Sequence, residues 1–230
     1  MSDPESFVAE LVQVFESHRQ AEKAQQMSAY MKYKFPFLGI PNPERKKISA
    51  FFIKEVKSFF PEPPFPLFHT LWNLAEREYQ YVAMDLLDKY LKKLHAEDIL
   101  QVQVLITTKS WWDSVDLLAS HALGAILKDN PSLQEEWVSN WMSSGNMWLQ
   151  RSSMLFQLGY KEETNWPLLQ HTCLSLIESE EFFIQKAIGW SLRQYSKTEP
   201  EMVNHFLDAH AWKPLSKREG KKWLIKSGFH

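Results

Sequence analysis

The chain has 230 residues, of which 44% are hydrophobic, so we expect a globular fold with a sizeable core. Its formal net charge is −2, with 26 basic and 28 acidic residues, which excludes an overall positive field that would attract nucleic acid to the whole surface. The one cysteine, Cys173, excludes an internal disulfide framework and a cysteine-rich metal site, and we expect it to be a small buried hydrophobe in a reducing cytosol.

The start of the sequence carries no targeting signal that we recognise. MSDPESF is acidic and has neither the basic nor the apolar region of an export signal. No run of eighteen apolar residues occurs anywhere in the chain. We therefore expect a cytoplasmic protein without a membrane span.

Helix signals follow one another along the chain, and the seven glycines fall well below the ~7% of average usage. Apolar residues recur at three- and four-residue spacing in FVAELVQVF, YVAMDLLDKYL, WMSSGNMWLQRSSMLFQL, FFIQKAIGWSLRQY and KKWLIK. NPER, NPSLQEEW and TEPEMV place proline near a first helical turn. The pattern predicts an all-α fold of about a dozen helices. FFPEPPFP, at 59–66, is interpreted as a rigid loop between two of them.

Glutamines recur at a spacing of 35 residues. Gln150 and Gln185 lie 35 apart, Gln80 precedes Gln150 by twice that distance, and Val115 stands in the remaining position. The residues that follow in the same register are Lys46, Tyr81, Asp116, Arg151, Lys186 and Lys221. A period near 35 is typical of helix-pair repeats, which stack into a continuous curved surface. We therefore predict a single helical repeat domain over 1–230, with an irregular helical bundle as the alternative.

This register would form a line of side chains along one surface of the stack. Four of its six members are Lys or Arg, although the whole chain is slightly acidic. Residues 212–230 contain six Lys or Arg against Glu219 alone, which leaves a charge of −7 for the rest of the chain. Charge is thus segregated, and we expect a concave basic surface.

The stretch KSWWDSVD, at 109–116, places two tryptophans beside two aspartates. Ser110 and Asp113 have the spacing of a helix capping box, which gives Asp113 a local explanation. Asp116 lies four residues after Trp112 and therefore on the same helical face, while Trp190 follows Lys186 by four. The pattern predicts an anionic spot with aromatic walls on a basic stripe.

Such a site is suited to a cation with anionic phosphates on both sides. A carboxylate supplies the opposite charge, and each indole face adds ~0.5–2 kcal/mol of cation–π attraction. Lysine and arginine around it suit phosphates without reading sequence. Duplex DNA that carries a positively charged alkylated purine combines these features.

Six segments, in order over nearly the whole chain, match one known family: FLGIPNPERKK (37–47), LWNLAEREYQ (71–80), TTKSWWDSVD (107–116), WLQR (148–151), FFIQKAIGWSLRQY (182–195) and PLSKREG (214–220). By these motifs the sequence resembles the DNA alkylation repair glycosylases of the AlkD type. The resemblance implies a fold of HEAT-like helical repeats and hydrolysis of the N-glycosidic bond of N3- or N7-alkylated purines in duplex DNA. It also implies the site residues, which are catalytic Asp116, active-site Trp112, Trp190 and Arg151, and Tyr30 at the DNA surface.

The residues themselves fit this reaction. An alkylated purine already carries positive charge and leaves without a general acid, so one carboxylate suffices where glycoside hydrolases use two. We predict that Asp116 stabilises the oxocarbenium ion and orients water, while Trp112 and Trp190 hold the sugar and the base. Arg151 is expected to hold a nearby phosphate. The flanking DNA backbone is assigned to Lys46, Lys186, Arg193 and Lys221.

The prediction is therefore a monofunctional glycosylase that acts as a monomer, without a cofactor or metal. The resemblance implies that the lesion is captured against an open surface. The eight histidines show no HxxxH or HxxE pairing, and no lysine is marked as a nucleophile for a lyase step. The alternative is a non-catalytic helical-repeat scaffold that binds DNA or protein. That alternative explains the basic stripe but not the aspartate within it.

Overall fold

The computed structural model describes residues 3–229, which contain α-helices, short 3-10 helices and one π-helical segment, and no strand. The all-helical prediction is confirmed. Part of the MSDPESF start lies outside the described residues. Within 3–229, no helix combines the length and apolar character that a membrane span requires. The chain divides into two compact units between Leu94 and His95, and the expectation of a single domain stays a prediction.

The first unit contains five α-helices: α1 Pro4–Glu16, α2 Ala21–Tyr30, α3 Asn42–Phe59, α4 Phe65–Asn73 and α5 Arg77–Leu87, followed by a 3-10 helix at Asp88–Lys93. Helix α1 packs against α3 and α4 with Phe7, Leu11 and Phe15 fully buried. The ring of Phe7 meets that of Phe52 edge to face at 5.3 Å. Each such side chain contributes about 1.5–3 kcal/mol to folding. The loop between α3 and α4 covers residues 60–64, which lie inside the predicted break at 59–66.

The FLGIP segment before α3 is held by a buried carboxylate. Glu78, fully buried on α5, accepts hydrogen bonds from the backbone N–H groups of Leu38, Gly39 and Ile40 at 2.9–3.1 Å. Burial raises the pKa of Glu78, and these hydrogen bonds oppose the rise. Gly39 has φ +87°, and a Cβ there would lie 2.1 Å from the Gln20 carbonyl oxygen, so only glycine fits. The start of α3 is thereby fixed.

The second unit contains α6 Ile99–Thr107, α7 Trp112–Leu118, a π-helical segment Ala119–Leu123, α8 Gly124–Asp129, α9 Gln134–Ser143, α10 Met147–Leu155, α11 Trp166–Ser175, α12 Phe182–Tyr195, α13 Pro200–Ala209 and α14 Pro214–Lys226. Three 3-10 helices lie at Ala96–Asp98, Pro131–Leu133 and Lys161–Glu163. One hydrophobic cluster in this unit includes Leu155, Ile188, Leu192, Leu207 and Leu224, all fully buried. It fixes the mutual positions of α10, α12, α13 and α14.

Helix starts follow the signals in the sequence. Helices α3, α4, α11, α13 and α14 have proline in the first turn, where its missing N–H costs nothing. The side chain of Asn146 accepts from the backbone N–H groups of Trp148 and Leu149 and so caps α10, and Asn165 caps α11 in the same way through Leu168.

The glutamine register has a structural cause. Each glutamine amide donates to backbone carbonyl oxygens close to a helix end. Gln80 and Gln150 reach the end of the preceding helix, where carbonyls lack partners within the helix. Gln185 reaches a carbonyl just before its own helix. The bonds are Gln80 to Trp72 and Leu74 at 3.0 and 2.9 Å, Gln150 to Met142 at 3.1 Å, and Gln185 to Ser179 at 3.1 Å. All six positions that follow in the register lie on helices, namely α3, α5, α7, α10, α12 and α14.

Candidate active site

A cavity of about 400 Å³ lies in the second unit, where α7, α10, α12 and α14 come together. Its lining combines aromatic rings with charged groups of both signs: Trp112, Asp116, Arg151, Phe182, Phe183, Lys186, Trp190, Arg193 and Glu219. Helix α12 supplies five of these nine residues. Lys186, Trp190 and Arg193 follow one another by four and three residues, which places them on one helical face.

Asp116 and Arg151, which both line this cavity, form a bidentate ion pair. The guanidinium Nε donates to Oδ1 at 2.6 Å, and Nη2 donates to Oδ2 at 2.8 Å. The remaining nitrogen, Nη1, donates to the backbone carbonyl of Phe183. The Arg151 side chain is 4% exposed, whereas that of Asp116 is 15% exposed. Arg151 therefore fixes the orientation of the carboxylate, which is the more exposed partner of the pair, whereas a phosphate contact was expected of Arg151.

Burial raises the pKa of the Asp116 carboxyl, and the hydrogen bonds and charge of Arg151 oppose this rise. The negative charge of Asp113 adds to the rise. The ionised carboxylate is thus less well solvated than it would be in water, and a cation that enters the cavity recovers part of that lost stabilisation.

The two tryptophans of KSWWDSVD have different positions. Trp112 lines the cavity on the same face as Asp116. Trp111 instead packs in a cluster with Trp148 and Phe183, with ring centroids 5.0–5.8 Å apart. This cluster supports the Phe183 carbonyl that receives Arg151. The two adjacent indoles thus have separate roles: Trp112 forms a wall of the cavity, and Trp111 supports the backbone at Phe183.

The capping box predicted for this stretch is wrong. Helix α7 begins at Trp112, with Trp111 in the N-cap position and no side-chain cap. The Ser110 hydroxyl donates to the Ile106 carbonyl at the end of the preceding helix instead. Because Lys109 adopts φ +49°, the chain turns sharply here, and Ser110 faces back toward α6.

Glu219 is the second carboxylate of the cavity, and its side chain is 5% exposed. Lys186 and Lys222 approach Oε1 at 3.1 and 2.6 Å, and Arg193 donates to Oε2 at 2.7 Å. Burial alone would raise the pKa of this group, but the hydrogen bonds from the two lysines outweigh burial and hold the pKa at about 2. Glu219 is therefore a fixed anion.

The other predicted DNA-binding residues, Tyr30, Lys46 and Lys221, do not line this cavity. Lys221 donates to Asn204 and Asp208 of α13 at 2.6 and 2.7 Å. In the first unit, the Tyr30 side chain is 73% exposed at the end of α2. Lys46 lines a groove of that unit with three further lysines and two aspartates: Lys54, Lys57, Lys89, Asp85 and Asp88.

Sequence reasoning brought Trp112, Asp116, Arg151, Lys186, Trp190 and Arg193 to one region, and all six line the cavity. It missed the three other lining residues, Phe182, Phe183 and Glu219. The signal for Glu219 was present, because it is the only acid in the basic segment 212–230. Within residues 3–229, no three His, Cys, Asp or Glu side chains are grouped so that they could hold a metal ion.

The cavity thus offers one open carboxylate, indole walls and a cationic edge, which defines a site for a cationic group within a phosphate-bearing ligand. The family model of the DNA alkylation repair enzymes matches residues 11–224. A solved structure from Enterococcus faecalis, titled "Predicted DNA alkylation repair enzyme", is similar with a TM-score of 0.82 and 38% identity over 90% of this chain and 97% of that one. No curated protein matches the sequence.

The chain belongs to the DNA alkylation repair enzyme family. Its fold is the helical fold of that family, and its role is in the repair of alkylated DNA.

Proposed function

We propose that the protein is a DNA glycosylase that hydrolyses the N-glycosidic bond of cationic N3- or N7-alkylated purines in duplex DNA. The observation that carries this proposal is the Asp116 carboxylate, which Arg151 orients through two hydrogen bonds and which lines a cavity together with Trp112 and Trp190. A neutral or basic group in place of Asp116 would make the cavity unsuited to a cation.

The reaction needs little from the protein beyond charge and position. The bond between C1′ and the purine nitrogen breaks, and its electron pair neutralises the cationic base, so no acid is required. Positive charge develops on the sugar, where Asp116 stabilises it. A water oxygen then bonds to C1′, and its proton passes to Asp116 or to solvent. Asp116 thereby acts first as a counter-charge and then as a base.

Four further residues of the cavity hold the nucleotide: Trp112, Trp190, Lys186 and Arg193. Trp112 and Trp190 present ring faces to the cationic base and the sugar. Since Arg151 is occupied by Asp116 and Phe183, we assign the nearest phosphates to Lys186 and Arg193. Tyr30, Lys46 and Lys221 stay assigned to the more distant DNA backbone. The protein acts on duplex DNA without a cofactor, metal or covalent lyase intermediate in this proposal.

The test is the release of free bases from methylated duplex DNA in EDTA, measured under single-turnover conditions for the wild type and Asp116→Asn. We expect N3- or N7-methylpurine release by the wild type and a loss of roughly 10²–10³-fold in the variant, as for removal of one key electrostatic group. Asp113→Asn is the matched control, because it removes the same charge from the same helix without lining the cavity. Its rate should stay within a few-fold of the wild type.

Two results would contradict the proposal. A wild type that binds the duplex but releases no base would be a helical-repeat scaffold rather than an enzyme. Efficient release of uracil, a neutral base, would show that positive charge on the leaving group is not what the cavity selects.

A further inference from the structure

Glu219 differs from an ordinary surface glutamate in the number of its partners. Its side chain is 5% exposed, yet Lys186, Arg193 and Lys222 all contact it within 3.1 Å. Those three cations keep 37%, 28% and 50% of their side chains exposed. The carboxylate is therefore buried beneath cations that still reach solvent, and the cluster retains a net charge of +2.

Glu219 can take this position because α12 and α14 approach closely at a glycine. A Cβ on Gly189 would lie 2.4 Å from the Cβ of Glu219 and 2.8 Å from the carbonyl oxygen of Ser216. The Ser216 hydroxyl donates to the Gln185 carbonyl at 3.2 Å across the same interface. The backbone beneath Glu219 is thus fixed on both sides, and the carboxylate has a defined place relative to α12.

The contacts with Glu219 restrict the side-chain rotamers of Lys186 and Arg193, the two cations of α12. Lysine and arginine side chains each have up to ~2 kcal/mol of rotamer entropy to lose when they bind a ligand. Glu219 orders Lys186 through Oε1 and Arg193 through Oε2, so both point to the same edge of the cavity before any ligand arrives. A group that binds there meets cations that are already oriented.

We propose that Glu219 is a positioning residue, which sets Lys186 and Arg193 at the spacing of the phosphates that flank the captured nucleotide. This inference rests on the proposed function, since it takes DNA phosphates as the ligand of those two cations. Glu219 itself does not touch the substrate. Its effect passes entirely through the two side chains of α12.

The proposal gives opposite signs for two binding measurements. Glu219→Gln removes a negative charge near DNA, so simple electrostatics predicts tighter binding to every duplex. Loss of positioning predicts weaker binding only where the nucleotide is seated against the cavity. For Glu219→Gln we expect unchanged or tighter binding to an undamaged duplex, measured by fluorescence anisotropy. For a duplex with one tetrahydrofuran abasic analogue we expect about tenfold weaker binding, and single-turnover base release roughly ten- to a hundredfold slower.

Glu163→Gln is the matched control. Glu163 pairs with Lys128 at 2.7 Å on another part of the second unit, and its substitution changes the net charge by the same amount. It should shift binding to both duplexes equally and leave base release unchanged. Tighter binding of the abasic-analogue duplex by Glu219→Gln, or base release at the wild-type rate, would overturn the proposal.

A fold defect in Glu219→Gln is separated from a positioning defect by repeating the substitution in a variant that lacks both cations of α12, Lys186→Met with Arg193→Met. If Glu219 acts through these two side chains, adding Glu219→Gln to that variant should slow base release little further. Additive losses would overturn the proposal. Failure of the glycosylase proposal can be distinguished from failure of the Glu219 proposal. If the wild type releases no base, binding to the undamaged and abasic-analogue duplexes can still be compared, and that comparison decides whether Glu219 positions the two cations.

Discussion

Two carboxylates line the same cavity and differ in almost every property that decides what a carboxylate can do. Asp116 has one ion-pair partner among the described residues, Arg151, and burial raises its pKa. Glu219 has three cationic partners, and its pKa is about 2. Asp116 thus has one cation to balance its charge, and Glu219 has three.

The difference shows how one cavity can contain both a chemical group and a structural group of the same type. Hydrogen bonds and cations that satisfy a carboxylate also remove its tendency to bind a further cation. Asp116 has one cation, Arg151, against its charge and lines the cavity, so its charge can still stabilise a cationic substrate. Glu219 is saturated, so it suits the positioning of other side chains.

The largest effect should come from removing the single partner of Asp116. Arg151→Gln leaves a buried carboxylate without its cation, and breaking a buried pair in this way costs about 3–5 kcal/mol of unfolding free energy. Because Arg151 opposes the rise of the Asp116 pKa, its loss should raise that pKa further. The acid limb of the pH–rate profile should then move to higher pH. Urea unfolding and single-turnover rates against pH measure the two effects.

Arg19→Gln is the matched control for this substitution. Arg19 also donates from two nitrogens to one carboxylate, that of Glu16, at 2.7 Å, and it contacts Glu76 at 2.6 Å, but the Arg19 side chain is 42% exposed. An exposed pair of this kind contributes ~0–1 kcal/mol. Equal losses for the two arginines would mean that burial does not distinguish Asp116.

An intermediate effect is expected in the pH dependence of stability, with opposite signs for the two carboxylates. Glu219 has a lowered pKa, so its contribution is present above pH 4.5 and is lost as the pH falls from 4.5 through about 2. Asp116 has a raised pKa, so its protonation favours the folded state as the pH falls through that raised value toward 3.8.

Unfolding free energies of the wild type, Glu219→Gln and Asp116→Asn over this acid range test the two signs. The wild type should lose its advantage over Glu219→Gln as the pH falls. Relative to Asp116→Asn, the wild type should gain. The same trend in both comparisons would show that the two environments do not differ as described.

The smallest effect should come from removing one of the three partners of Glu219. Lys222 is 50% exposed, and Lys222→Met leaves Lys186 and Arg193 in place. We expect a loss below ~1 kcal/mol in urea unfolding. A loss as large as that of Arg151→Gln would mean that the partners of Glu219 are not redundant.

The sequence predicted the helices and much of the cavity because both depend on local spacing. Proline in first turns and apolar periodicity located α3, α12 and α13, and the 35-residue register placed Asp116 and Arg151 at positions that hydrogen-bond to each other. A spacing of four residues put Trp112 with Asp116 and Trp190 with Lys186 on common faces. These relations need no knowledge of how distant side chains pack.

The features that the sequence did not predict depend on such packing. The pairing of Arg151 with Asp116 and its third hydrogen bond, to the Phe183 carbonyl, depend on how α7, α10 and α12 pack together. The role of Trp111 required its contact with Trp148. Glu219 reaches its cations only because Gly189 lets α14 approach α12 closely. Nothing in the sequence distinguishes Gly189 from the other six glycines, so this contact could not be predicted.

The glutamine bonds have a consequence for the order of folding. Each joins groups only six to eight residues apart, so it closes a short loop and costs little chain entropy. The bond from Arg151 to Asp116 spans 35 residues, and that from Arg193 to Glu219 spans 26. Helix pairs can therefore form from local contacts first, and the two carboxylates acquire their partners only when neighbouring pairs dock. We therefore expect the cavity to be completed after these local bonds, from segments that the bonds already hold in register.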